Sequence, residues 1–323
     1  MYFDAHSDIW ADVTNKRLAG ETDVIQKYHT KRLKSGNVEG TIFVIWVDPP
    51  YDRDYVARTK AIFQCMKDEM AETGAVRFVK NYDELMQARK EGEFYVMTGI
   101  EGMAYLQNDI ARLDDYYEAG ARHGMLTWNE SNSLGHGAAT GSTEGLSDFG
   151  KLVVKEMQKK GMIVDTSHLN EAGFWDIAKL STKPIIASHS NCRAICDSHR
   201  NLTDEQLKAI RDLNGVVGLN SYRNFIDDDI SKSTVDRLAQ HADRMITIMG
   251  IDHVGCGFDF FEFLGDPANP DVYSGDDSGC INLEDCTKIG NLFACFERMG
   301  MSKEEMEKIA FGNFHRVIKE CVG

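Results

Sequence analysis

Apolar residues fall into eight short runs along this chain, at residues 2–8, 40–48, 94–101, 124–128, 162–168, 184–189, 215–221 and 254–260. The runs are often β-branched, the pattern of strands that are buried on both faces. Longer stretches with helical character separate them, at 55–73, 147–160, 203–213, 233–249 and 283–299. Thr203-Asp204-Glu205-Gln206 has the Thr and the Gln three residues on that a capping box requires. A last helix is expected over 302–321, opened by Ser302 and the acidic pair Glu304 and Glu305. Strands alternating with helices in this number predict a (β/α)8 barrel, with an open doubly wound sheet as the alternative. The two differ in where chemistry collects. A barrel gathers side chains from the C-terminal ends of many strands around a ring, whereas an open sheet concentrates them at one switch point.

The polar residues that end the runs decide between these. The first run, Tyr2-Phe3-Asp4-Ala5-His6-Ser7-Asp8, reaches a His-x-Asp pair, and side chains at i and i+2 of a strand share a face. The third ends in Glu101-Gly102, the fifth in Asp165-Thr166-Ser167-His168 and the sixth in Ser188-His189-Ser190. The eighth passes Gly255 and Gly257 to reach Asp259. That spread over five runs favours a closed barrel. Imidazole and carboxylate are ligands that suit zinc, manganese and cobalt, so His6, Asp8, Glu101, His168 and His189 are candidate metal ligands. Glu101 has two oxygens and can hold one ion or bridge two. Asp259 is the candidate acid/base, since a carboxylate beside a metal-activated water can take its proton and pass it to a leaving group.

Composition narrows the function classes. The chain has 323 residues, five prolines and no Pro/Gly/Ser linker, so residues 1–323 are expected to form a single barrel domain. Residues 265–279 read as a loop on the catalytic side. A formal net charge of −15 leaves no basic footprint for phosphate backbones, which argues against nucleic acid. No apolar run approaches the roughly 18 residues of a membrane span. The first residues have no secretory pattern, and a cytoplasmic protein is expected. Eight cysteines then need not form disulfides; Cys192 and Cys196 read as two semi-buried thiols at helical spacing.

Taken together, these motifs resemble the renal or membrane dipeptidases, zinc peptidases built on a (β/α)8 barrel. The resemblance runs over nearly the whole chain. It rests on Asp4-Ala5-His6-Ser7-Asp8, Gly99-Ile100-Glu101-Gly102, Leu126-Thr127-Trp128 with Asn132 and Leu134-Gly135, Asp165-Thr166-Ser167-His168 and Ser188-His189-Ser190. It continues in Arg200-Asn201-Leu202, Gly250-Ile251-Asp252-His253-Val254-Gly255, Asp259-Phe260 and Gly312-Asn313-Phe314. It implies two zinc ions, one on His6, Asp8 and Glu101 and one on Glu101, His168 and His189, with Asp259 as acid/base. It further implies a dipeptide substrate whose free carboxylate pairs with Arg200, and a homodimer. Two positions depart from the pattern. Trp128 stands where the family often has a histidine that touches the substrate carbonyl, leaving Asn129, Asn132 or His136 to supply a polar contact from that loop. Phe261 stands where an acid often follows Asp-Phe. Trp128 and Asn132 are therefore expected on the substrate side. Competing readings are a binuclear hydrolase of another amide, a lactam or an ester, and a metal-binding barrel without turnover.

Overall fold

Each of the eight apolar runs overlaps a strand. The computed structural model describes residues 1–264 and 279–323, so most of the expected 265–279 loop lies outside the described residues. The strands are β1 (Tyr2–Ser7), β2 (Val38–Trp46), β3 (Arg77–Val79), β4 (Tyr95–Glu101), β5 (His123–Met125), β6 (Ile163–Asp165), β7 (Ile185–Ala187), β8 (Val216–Leu219) and β9 (Val254–Cys256). All pairings between them are parallel, in the order β1-β2-β4-β5-β6-β7-β8-β9, with β3 off this path on β4. The unpredicted β3 pairs with the first three residues of β4, and β5 pairs with its last, Glu101 opposite Met125.

A nearly closed barrel results. Between its first and last strands a side chain does the joining: the Phe258 N–H donates to Asp4 Oδ1 at 2.9 Å. Burial pushes the Asp4 carboxyl up to about 7, against the pull of that same N–H. The strand period of two separates the core into layers. Ile42, Val44 and Trp46 of β2 join Tyr95 and Met97 of β4 in the inner cluster, while Phe43, Ile45, Val96 and Ile100 pack outward with the helices. Glu101 continues the inner set, and the C-terminal ends of the strands are therefore where it emerges.

The later strands are shorter than their apolar runs. β6 stops at Asp165 and β9 at Cys256, yet His168 and Asp259 follow with φ of +65° and +60°. A left-handed residue cannot continue a ladder, and for a non-glycine it costs about 1–3 kcal/mol, a strain characteristic of functional sites. Among the helices, those at Tyr55–Glu72, Asp148–Lys159, Asp204–Asp212 and Val235–Met249 follow the expected ranges, with the Thr203/Gln206 capping box formed. The expected 283–299 helix begins only at Ile289 and ends at Arg298. The expected 302–321 helix opens on a Ser302/Glu305 capping box but is interrupted by a wide π-type turn at Lys308–Gly312. There Asn313 Nδ2 donates to the carbonyls of Ile251 and Val254 at 2.8 and 2.7 Å, pinning the last helix to the entry of β9. All eight cysteines, Cys192 and Cys196 included, are unpaired and buried. No helix among the described residues is long and apolar enough to cross a membrane.

Candidate metal centre and active site

The end of β4 puts Glu101 in the middle of the barrel mouth, almost wholly buried. Its two oxygens face different neighbours. Oε2 lies 3.4 Å from His6 Nε2, whereas Oε1 lies 2.8 Å from His168 Nε2 and 3.9 Å from His189 Nε2. His6 Nε2 is also 3.6 Å from Asp8 Oδ2 and 3.7 Å from Asp259 Oδ1. Two overlapping triads, His6 with Glu101 and His189, and His6 with Asp8 and Asp259, each hold their ligand atoms within 4.8 Å of one another. Residues from five separate strand ends, 253 positions apart at the extremes, thus converge.

The rings are held from behind. His168 Nδ1 lies 3.0 Å from Asn129 Oδ1, an acceptor, so Nδ1 carries the hydrogen and Nε2 presents its lone pair. His189 Nδ1 lies 2.7 Å from Ser188 Oγ. The two Nε2 atoms then sit 2.9 Å apart with Glu101 Oε1 beside them. Acceptors crowding one another in a dry site are stabilised by a shared cation. His6 Nε2 and Asp8 Oδ1 are buried with no hydrogen-bond partner. The donor set of three imidazoles and two carboxylates therefore fits transition-metal ions.

Protonation follows the same crowding. Burial pushes Glu101 up to about 8, with His6 opposing and Asp8 adding to the rise. Burial also pushes Asp259 up to about 7, again against His6. For His6 burial acts downward, but the carboxylates of Glu101 and Asp8 outweigh it and hold the imidazole well above its usual range. His168 and His189 go the other way, well below the histidine range, through burial and the nearby cationic groups. Neutral imidazole is the form that binds a metal.

Arg200, on the loop after β7, is buried with Nε and Nη2 unpartnered. Burial draws its pKa down to about 10, with Asp259 and Glu101 pulling it back. A buried fork with free donors is suited to a carboxylate that arrives from outside. Trp128 is half-buried, its ring edge-on to Trp46 at 5.2 Å and tilted 6.2 Å from His168, so it walls the mouth beside the His168–His189 pair. Asn132 does not present itself in the same way. Its Nδ2 donates to Leu126 O and Glu130 Oε1 at 2.9 and 2.8 Å, and its Oδ1 accepts from Leu134 N at 2.8 Å. Both amide hydrogens hold the loop, which leaves the expected substrate contact without a free donor. His136 is likewise engaged, with Nδ1 2.7 Å from Ser131 Oγ. Phe261 packs against Tyr222 with ring centroids 5.7 Å apart.

The sequence motif includes Ser188 without its role behind His189, and gives no sign of Asn220, whose Nδ2 donates to Asp259 Oδ2 at 3.2 Å. Asn129, a candidate substrate contact in sequence, is the partner of His168 in the structure. A cleft of about 520 Å3 opens elsewhere, between the helices Tyr55–Glu72 and Arg112–Glu118, and includes none of these residues.

Over residues 1–322 the sequence matches the family model of membrane dipeptidase, peptidase family M19. The chain belongs to the membrane dipeptidase family. This is a family of metallopeptidases, which implies a metal cofactor and a dipeptide substrate. A metallo peptidase from Rhodobacter sphaeroides, liganded with a phosphinate mimic of the dipeptide L-Ala-D-Ala, superposes with a TM-score of 0.85 at 25% identity, covering 99% of both chains. An uncharacterized protein from the pqqA 5' region of Klebsiella pneumoniae is 32% identical over 76% of this chain and 89% of its own length. Dipeptidase tcpJ of Claviceps purpurea is 28% identical over 94% of this chain and 70% of its own. An amidohydrolase from Burkholderia multivorans, 11% identical with a TM-score of 0.55, shares the barrel fold alone.

Proposed function

We propose that this membrane dipeptidase family chain hydrolyses the peptide bond of dipeptides with two metal ions, zinc by preference and manganese or cobalt as alternatives. The observation that carries the reading is Glu101, whose two oxygens face His6 on one side and His168 with His189 on the other. His6, Asp8 and Glu101 would hold one ion, and Glu101, His168 and His189 the other. When bound, the metals would polarise the scissile carbonyl and acidify the attacking water. The chain's own groups do the rest. Arg200 pairs with the C-terminal carboxylate and sets the peptide's length by its depth in the mouth. Asp259, raised to about 7, accepts the water's proton at its Oδ1 and returns it to the leaving amine. Trp128 lends an apolar face and one N–H donor in place of a charged group, so at this position the chain offers the carbonyl oxygen no cationic side chain. The L-Ala-D-Ala mimic in the Rhodobacter relative supports a site for small dipeptides, including a D-residue at the C-terminus. The eight unpaired thiols support a reducing compartment such as the cytoplasm.

The test is a dipeptide panel run on zinc-loaded protein, each peptide with a free or an amidated C-terminus. A guanidinium–carboxylate pair contributes roughly 1.5–3 kcal/mol, so amidation should lower kcat/KM about ten-fold to a hundred-fold. For Arg200→Ala the same block should change little. Equal cleavage of both forms by the unaltered protein would replace this reading with a broader amide hydrolase.

A further inference from the structure

The second triad raises a question that the proposed roles leave open. Asp259 lies with His6 and Asp8 inside ligand distance, so what makes it a proton carrier and not a sixth ligand? A free carboxylate can turn either oxygen, or both, toward a cation. The two oxygens of Asp259 are not equivalent here. Oδ1 faces His6 Nε2 at 3.7 Å, and Oδ2 accepts from Asn220 Nδ2 at 3.2 Å.

We propose that Asn220 is a positioning residue that tethers Oδ2 of Asp259 to the end of β8, leaves only Oδ1 facing the metal-binding cluster, and so keeps Asp259 available for proton transfer. This rests on the acid/base reading of Asp259 above. The tether can do this because Asn220 is itself fixed. Its Oδ1 accepts from Tyr222 N at 2.6 Å, which settles the amide's orientation: a flip would set an NH2 against that N–H and an oxygen against the carboxylate. Its backbone N–H donates to Asn191 Oδ1 at 3.2 Å, and its carbonyl accepts from Asn191 Nδ2 at 2.9 Å. Asn191 follows His189 by two residues, and Asn220 Nδ2 also reaches His189 O at 3.5 Å. Asn191 and Asn220 are fully buried, so water does not compete for these bonds. The backbone leading to Asp259 is clamped as well, with Phe258 O accepting from both Ser221 N and Ser221 Oγ at 2.9 and 2.7 Å. With the main chain held in a left-handed turn and Oδ2 tied, the remaining freedom of Asp259 is small.

The experiment is Asn220→Ala made alone and in an Asp259→Asn background, with kcat, KM and zinc affinity by chelator competition measured for each. Alone, the substitution should lower kcat about ten-fold to a hundred-fold, with KM changed less than about three-fold. Zinc should bind as tightly as before or more tightly, since the freed carboxylate can join the ligands. In the Asp259→Asn background the same change should lower the residual kcat by less than about three-fold, because the carboxylate it acts through is gone. Equal loss in both backgrounds, an unchanged kcat, or weaker zinc binding would each overturn the tether. Near-normal turnover of Asp259→Asn alone would instead overturn the acid/base reading, and the tether with it. If alanine unfolds the barrel, Asn220→Leu keeps a similar branched shape, lacks the amide donor, and should show the same dependence on Asp259.

Discussion

At the scale of single residues, Glu101 carries the largest consequence. Glu101→Gln preserves volume but replaces one anionic oxygen by a donor, and in the proposed centre both metal positions share that side chain. Elemental analysis should find both ions depleted and turnover lost, whereas two tightly held ions would refute the bridging role. Asp259→Asn should separate from it, retaining metal while kcat falls by about 100-fold to 10,000-fold. The candidate ligands are legible in sequence because several His and carboxylate residues fall at the ends of separate apolar runs. The groups that orient them are not. Asn129 and Asn220 sit in loops where asparagine is an ordinary turn residue. Their partners, His168 and Asp259, are each 39 positions away. Asn132 misled for the converse reason, being part of a matching motif while serving only its own loop.

At the scale of elements, the strand starts were readable and the strand ends were not. An apolar run continues past the last ladder bond because the residues beyond it still face a dry barrel mouth. β3 has only three residues, too few for a period to register. The helix Ile9–Leu18 was missed because its first six residues are all buried, Asp12 and Thr14 among them, so no polar face marks it. The close approach of the last strands gives a sharp test. A Cβ on Gly257 would lie 1.6 Å from Ser188 O, a backbone atom beside His189. Gly257→Ala should therefore destabilise the fold by roughly 2–4 kcal/mol, seen in denaturant midpoints, and weaken metal binding too. Gly290, in the helix Ile289–Arg298, has nothing within 4 Å of an added Cβ. Gly290→Ala should be neutral or stabilising by up to about 1 kcal/mol.

At the scale of the molecule, three histidines outside the metal cluster make the fold sensitive to acid. Burial draws His29 and His241 down to about 4 and His315 to about 3. An unfolded histidine takes up its proton near pH 6.5, so between that pH and the folded values the unfolded chain binds more protons. Stability from these groups is thus complete above about pH 6.5 and falls as acid is added, by about 1.4 kcal/mol per pH unit for each histidine within its window. His315→Gln should flatten the loss between pH 6.5 and 4 by one histidine's share when denaturant midpoints are compared with the unaltered protein. A parallel loss in both proteins would show that His315 is already charged in the fold.

The bond from Phe258 N to Asp4 Oδ1 has a further meaning in time. Its partners are 254 positions apart. At about 5–20 residues per second, a ribosome needs on the order of tens of seconds to produce the second after the first. Throughout that interval the outer edge of β1, beside His6 and Asp8, is open to any passing strand. Nascent chains halted before residue 258 should therefore aggregate readily even with zinc supplied, because the proposed ligands are all made by residue 189 while the edge that residue 258 closes is still open.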